Sequence, residues 1–313
     1  MDSDEVKRLE LRIGRLHARQ RLGVERDHEA QVFGQGLNFF HIENAGVLAF
    51  LIEYTLKCTG LYWRGCRNAE RIVVNRNVVA SRSLPAAFDG FTILQLSDLH
   101  ADMSAGAMRR AKELLATLSC DLCVITGDFR GKTYGSFDYA LALIADLRSA
   151  TASPVYAVLG NHDSALMVPG LEAMDIRVLM NECAVIERDG ARIYVAGVDD
   201  PHFFRADNIE KASADIPDED FSILLAHTPE IYRQAAHAGF DLLLSGHTHG
   251  GQICLPGRIP ITLDSVLPRR MGRGAWRHHG MHGYTSVGTG SSVVPVRFNC
   301  PPEITLHVLK RET

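Results

Sequence analysis

Apolar positions along the chain follow two regimes. From about residue 69 onward, short apolar runs recur at Arg71–Val74, Thr92–Leu96, Leu122–Ile125, Val155–Leu159, Arg192–Val195, Ser222–Ala226, Leu242–Ser245 and Ile304–Leu309. Runs of this length, rich in Ile, Val and Leu, predict strands; their lack of alternation predicts burial on both faces. Between them, Met108, Ala111, Leu115 and Leu118, then Ala140, Leu143, Ile144 and Leu147, recur at helical spacing. Strand and helix alternate with no internal repeat or low-complexity segment, so the predicted class is α/β.

The first 68 residues read differently. Val6, Leu9, Ile13 and Leu16 fall on one helical face with Lys7, Arg8, Arg12, Arg15 and Arg19 around them, which predicts a basic amphipathic helix. Gly34 and Gly36 mark a break. An apolar run then extends from Ala45 to Trp63, about the roughly 20 residues that a membrane span needs. Glu53 and Lys57 inside it would be costly at a bilayer centre. The expectation is a helix on a membrane surface or a buried helix, and the helical extension 1–68 either binds a membrane or packs on a catalytic domain at 69–313.

Composition narrows the function. The 313 residues carry a net charge of -4, 46% hydrophobic and 22% charged positions, as in an ordinary globular protein, and no nucleic-acid partner is expected. Residues 5–21 hold six Lys or Arg against two Glu, so the basic charge is concentrated at the start. Seven cysteines and a polar first forty residues predict reduced thiols and a cytoplasmic protein, peripheral on the inner membrane face if it binds lipid.

Chemistry is concentrated directly after the predicted strands: Ser97-Asp98-Leu99-His100, Thr126-Gly127-Asp128, Gly160-Asn161-His162-Asp163, His227-Thr228 and Gly246-His247-Thr248-His249. Ligand sites in α/β sheets form at the carboxyl ends of strands, where such loops converge. Carboxylate, amide oxygen and imidazole together suit Mn, Fe or Zn better than Ca. Asp98 and His100, two apart on an extended segment, would point to one side, as would His247 and His249. Gly127, Gly160 and Gly246 would let the backbone turn tightly. One carboxylate can hold two cations about 3.5–4 Å apart, a pair that clamps a phosphoryl group and acidifies water. Any single Asp-x-His or Gly-Asp is commonplace; five in order at five strand ends are not.

As a set these motifs resemble the calcineurin-like metallophosphoesterases, over residues from about 70 to 309. The resemblance implies an α-β-β-α sandwich of two facing mixed sheets and two divalent metals, Mn foremost with Fe or Zn as alternatives. Asp98, His100, Asp128 and His249 would hold one metal, and Asp128, Asn161, His227 and His247 the other. His162 would polarise the phosphate or protonate the leaving oxygen, with Asp163 orienting its ring, and a bridging hydroxide would attack phosphorus in line. The Gly250-Gly251-Gln252 continuation and the Phe298–Thr305 ending are similar to a bacterial branch that includes broad phosphodiesterases and a membrane-associated UDP-2,3-diacylglucosamine pyrophosphohydrolase of lipid A synthesis. Phe129-Arg130-Gly131 departs from the Asp-Arg-Gly run of the Ser/Thr protein phosphatases, so protein dephosphorylation is not expected.

The favoured reading is hydrolysis of a lipid-linked phosphodiester or pyrophosphate; the alternatives are a broad soluble phosphodiesterase or phosphatase, and a membrane-surface adaptor with little turnover. Three other features are read as structural. Cys120 and Cys123 suit core or strand-edge packing, Asp199-Asp200-Pro201 a turn, and His278, His279 and His282 beside Arg269, Arg270, Arg273 and Arg277 either a solvated loop or a basic rim for an anionic head group.

Overall fold

The computed structural model describes residues 3–33 and 46–312; the break at Gly34 and Gly36 and the start of the apolar run at Ala45 lie outside the described residues. The chain opens with helices α1 (Ser3–Ile13), α2 (Arg15–Phe33), α3 (Gly46–Cys58) and α4 (Tyr62–Ala69). Then follow β1 (Val73–Ser81), β2 (Thr92–Leu96), α5 (Ala105–Leu115), β3 (Leu122–Thr126), α6 (Asp138–Arg148), β4 (Val155–Val158), α7 (Val168–Glu172) and β5 (Ile176–Val178). The second half runs β6 (Glu182–Arg188), β7 (Ala191–Gly197), α8 (Ile209–Ser213), β8 (Ser222–Leu225), α9 (Tyr232–His237) and β9 (Leu242–Ser245). It ends with a short ribbon, β10 (Cys254–Leu255) and β11 (Ile259–Pro260), and then β12 (Gly274–His278), β13 (Met281–Thr285) and β14 (Glu303–Arg311).

Two mixed six-stranded sheets result, ordered β1-β14-β2-β3-β4-β5 and β12-β13-β9-β8-β7-β6. The central strands of each are parallel, and β14, β6 and β12 introduce the antiparallel pairings. Three cores hold four layers together. Leu94, Ile125, Ala157 and Ile304 of the first sheet pack under α1, α2, α5, α6 and α7. Ile93, Val124 and Val158 meet Val195, Ile223 and Leu244 of the second sheet, and Leu224, Leu243 and Trp276 lie under Ala212 of α8 and Tyr232 and Ala235 of α9. Central strands covered on both faces lose their polar alternation, and that is why they stood out in the sequence. Of the strands absent from the sequence reading, β5, β6, β10, β11 and β12 are short or at edges, and in β12 and β13 polar residues such as Arg277 and His282 interrupt the pattern.

The N-terminal region departs from its hydropathy pattern twice. The amphipathic stretch is two helices, because Gly14 takes φ 93° between them, a conformation that glycine adopts without a Cβ penalty. The turn carries Leu16 out to 81% exposure while Leu9, Ile13, Ala18 and Leu22 enter the first core. Arg12 fastens α1, donating from Nε to Glu172 Oε1 at 2.8 Å and from Nη1 to Glu182 Oε1 at 2.7 Å. By contrast, the apolar α3 leaves Phe50, Leu51 and Tyr54 exposed. Among the described residues no helix is long and apolar enough to cross a membrane.

Candidate metal centre

The five loops converge at one end of the seam between the sheets. Asp98, His100, Asp128, Asn161 and His162 follow β2, β3 and β4 of the first sheet; His227, His247 and His249 follow β8 and β9 of the second. All are buried, none above 5% exposed. Within each sheet hydrogen bonds tie neighbouring loops together: Asp98 N donates to Gly127 O (2.9 Å) and His100 N to Asp128 O (3.0 Å) in the first, and Gly246 N to His227 O (2.8 Å) in the second; across the seam, His247 N donates to Asp98 Oδ1 at 3.0 Å. Deeper in, Gln95 Nε2 donates to Ser245 O at 2.9 Å and to Thr126 Oγ1 at 3.0 Å, joining the two sheets.

The local backbone is not extended, which corrects the sequence reading. Asp98 (φ 49°), His100 (39°), Asp128 (56°), His247 (71°) and His249 (48°) all lie in the left-handed region, where Asp, Asn and His are several-fold enriched among non-glycine residues. Side chains reach the centre from consecutive tight turns, not from alternating strand positions. The glycines also divide in role. Gly127 has φ 89°. Gly160 and Gly246 do not need a positive φ; a Cβ at Gly160 would overlap Asp128 Oδ1, and one at Gly246 would overlap Ser97 Oγ and Asp98 Oδ2.

The donor atoms face one another at ligand-like spacings. His100 Nε2 lies 3.0 Å from His249 Nε2 and 3.6 Å from Asp128 Oδ2; His249 Nε2 lies 3.4 Å from Asp98 Oδ1. On the other side, Asn161 Oδ1 is 2.9 Å from both His227 Nε2 and His247 Nδ1, and His227 Nε2 is 3.3 Å from Asp128 Oδ2. Asp128 thus faces both groups. Second partners set two tautomers: His100 Nδ1 donates to Arg130 O (2.9 Å) and His227 Nδ1 to Thr126 O (2.8 Å). A carbonyl can only accept, so in the neutral ring each Nε2 carries its lone pair toward the centre, as metal-binding histidines require. Two imidazole nitrogens and two carboxylates turned inward at these distances fit divalent cations. Two sets, Asp98 with His100 and His249, and Asp98 with Asp128 and His227, place ligand atoms within 4.8 Å of one another.

Electrostatics agree with a cation site. Burial pushes the Asp98 carboxyl up to about 7, aided by Asp128 and opposed by His227. Burial also pushes Asp128 up, but His227, His162 and His100 overcome it and hold this carboxyl well below the usual range. His227 is opposed by burial yet raised well above an ordinary imidazole by Asp128 and Asp98. His249 is lowered by burial, His100 and Arg297. Two buried carboxylates in contact with the same imidazoles are costly unless positive charge is supplied.

His162 and Asp163 do not form the pair expected from the sequence. His162 Nδ1 lies 3.1 Å from Thr133 Oγ1, and its ring stands edge-on to His100 at 5.0 Å. The Asp163 carboxylate accepts instead from Gly160 N, Phe129 N and Arg130 N; it ties two loops together and has no bond to the ring. The sequence reading missed Thr133. It also missed Arg130, which donates from Nε to His162 O at 2.7 Å, and Arg297, which is fully buried and bonded to Val287 O and Gly290 O beneath His249. In the Asp199-Asp200-Pro201 turn, Asp200 accepts from Phe203 N and Phe204 N, and Asp199 accepts from Asp200 N. Asp199 is a buried partner of His17 and Arg21. The turn brings His202 to 4.4 Å from the His247 ring, where Glu230 holds it at 2.8 Å.

The other candidates fall elsewhere. His278 ends β12, His279 lies in the turn that follows and His282 is near the start of β13, whose parallel pairing with β9 places all three at the end opposite the metal centre. They form no rim around it. Arg269, Arg270 and Arg273 precede β12 at the near end. All seven cysteines are free thiols; Cys123 is buried in β3 and Cys120 donates to Ser153 Oγ.

The calcineurin-like phosphoesterase family model matches residues 91–251. The chain belongs to that family and is a metal-dependent hydrolase of phosphoric esters. Among its relatives, the uncharacterized metallophosphoesterase YkuE of Bacillus subtilis is 31% identical over 76% of this chain and 86% of its own. Phosphodiesterase YaeI of Escherichia coli is 30% identical over 69% of this chain and 81% of its own. The zebrafish (Danio rerio) transmembrane protein with metallophosphoesterase domain is 32% identical over 85% of this chain and 62% of its own.

Proposed function

We propose that the protein hydrolyses a phosphodiester or pyrophosphate by in-line displacement, without a covalent enzyme intermediate, and that its substrate is lipid-linked, such as a UDP-diacylglucosamine. The observation that carries the reaction is Asp128, whose one carboxylate faces His100 on one side and His227 on the other. Asp98, His100, Asp128 and His249 would hold one cation, and Asp128, Asn161, His227 and His247 the second. When bound, such a pair supplies Lewis acidity toward a phosphoryl oxygen and a water acidified from about 15.7 toward 7. His162, whose Nδ1 lies beside Thr133 Oγ1, would give a proton to the leaving oxygen.

The substrate class rests on surface chemistry. Phe50, Leu51, Tyr54, Leu61 and Trp63 are exposed on α3 and at the start of α4, with Arg64 and Arg67 exposed beside them. Aromatic, aliphatic and basic groups together suit an anionic membrane surface. Helix α4 is seated next to the centre: Asn68 Nδ2 donates to Arg297 O at 2.9 Å, Arg297 N donates to Gly65 O at 3.1 Å, and Arg297 lies under His249. A lipid held by α3 and α4 would have its head group near the metals.

The test is a Mn-supplemented panel of nucleotide-sugar lipids, phospholipids, cyclic nucleotides, phosphomonoesters and an aryl phosphodiester. Asp128→Ala or Asn161→Ala should remove most turnover. Hydrolysis that survives both changes and a chelator refutes the reaction, and a preference for phosphomonoesters refutes the substrate class.

A further inference from the structure

The hairpin of α1 and α2 ends on the loop that carries His162. Arg21 of α2 is fully buried. Its Nε donates to Asp199 Oδ1 (3.1 Å), its Nη1 to Glu25 Oε1 (2.5 Å) and its Nη2 to the Asp163 carbonyl (2.9 Å), while its guanidinium lies 3.4 Å over the Phe204 ring. Glu25 continues the contact, accepting from Ser164 Oγ at 2.7 Å and from Ala165 N at 2.8 Å. Three consecutive residues after His162 are therefore held by one helix. On the other side, Arg130 and Thr133 hold His162 itself. Asp199 belongs to the second sheet's turn that leads to His202, so α2 also bridges the loops of both sheets. A planar guanidinium with its edges and one face engaged allows little rotation.

We propose that Arg21, with Glu25 and Asp199, is a positioning residue for His162, which makes the N-terminal hairpin part of the active site. The inference rests on the hydrolytic reading above. In the step concerned, the oxygen of a water molecule forms a bond to phosphorus as the bond from phosphorus to the leaving oxygen breaks; the leaving oxygen keeps the electron pair and takes a proton from His162. A nitrophenolate departs without that proton, whereas an alkoxide requires it. Displacement of His162 therefore penalises alkyl esters selectively.

The experiment uses the full chain with Mn and two phosphodiesters that differ only in an aryl or an alkyl leaving group. Arg21→Lys keeps the charge and loses the fork, and Glu25→Gln keeps an oxygen acceptor and loses the charge facing Arg21. Both should lower kcat for the alkyl ester by about 10- to 100-fold, with KM within about threefold, and lower kcat for the aryl ester by less than a tenth as much. His162→Asn should show the same signature at larger amplitude. Equal losses on both esters, a change confined to KM, or no loss would overturn the inference. If Arg21→Lys does not fold by circular dichroism, Glu25→Gln decides it. A native enzyme inert on both esters would instead overturn the hydrolytic reading.

Discussion

The two sheets bring different chemistry to the same seam. The first carries every oxygen-bearing candidate ligand, Asp98, Asp128 and Asn161, and one candidate imidazole, His100; the second carries candidate imidazoles alone, His227, His247 and His249. Neither set by itself neutralises a pair of divalent cations or surrounds them. The centre exists only while the sheets stay packed, so the apolar layer of Ile93, Val124, Val195 and Ile223 between them is a condition of catalysis as well as of stability. Division of labour also explains the spacing of the motifs: the oxygen-rich loops come early in the chain and the nitrogen-rich loops late, because each sheet is built largely from one half.

The comparison is broken most directly at Asp128, where the first sheet reaches ligands of both sheets. Asp128→Ala should lower kcat/KM for an aryl phosphodiester by more than about 10³-fold, roughly 4 kcal/mol; a loss under tenfold would mean that the oxygen-bearing sheet lacks the shared ligand. Next in size is removal of the cations, which join the sheets when bound. Chelation should abolish turnover and lower the melting temperature, since a ligand at 100 times its Kd stabilises by about 2.7 kcal/mol; an unchanged melting curve would mean that the cations do not link the layers. Gly246→Ala tests the seam itself. Its Cβ would press on Ser97 and Asp98, and overpacking of this kind costs about 1–3 kcal/mol. Gly23→Ala in α2, where a Cβ meets nothing within 4 Å, should stabilise by about 0.5–1 kcal/mol. Thermal denaturation that ranks the two alike would contradict the close contact.

The smallest expected effect concerns pH. Burial raises the Asp199 carboxyl, but Arg21 and His17 overcome it and hold it below the ordinary value. A depressed carboxylate contributes stability that is complete above its unfolded pKa of about 3.9 and fades as pH falls toward the native value. Urea midpoints should fall below about pH 4 more steeply in the native protein than in Asp199→Asn; parallel curves would dismiss the contribution.

The catalytic region of the molecule was legible because its signals are contiguous. Apolar strands such as Leu242–Ser245 end directly in Gly246-His247-Thr248-His249, and both pattern and chemistry lie within a few residues. The N-terminal region was legible as helices, but the way it docks was not, for a physical reason. Helix α2 buries Arg21 against Asp199 and the partly buried Glu25, so a hydropathy pattern reads its docked face as solvent-facing, while α3 is apolar and exposed. Partners such as Asp199 and Asp163 lie over 140 positions away from Arg21, and no local window contains them. Thr133 was missed likewise, since its bond to His162 crosses two loops.

The left-handed backbone at Asp98 and Asp128 has a practical corollary. Alanine there would alter two things at once, removing the carboxylate and placing a residue poorly suited to that twist, a change worth about 1–3 kcal/mol in strained sites. Asparagine accepts the same twist readily. Asp98→Asn and Asp128→Asn are therefore the isosteric probes that subtract charge while leaving the turn intact, and the gap between the Asn and Ala variants measures how much of each residue's worth is conformational.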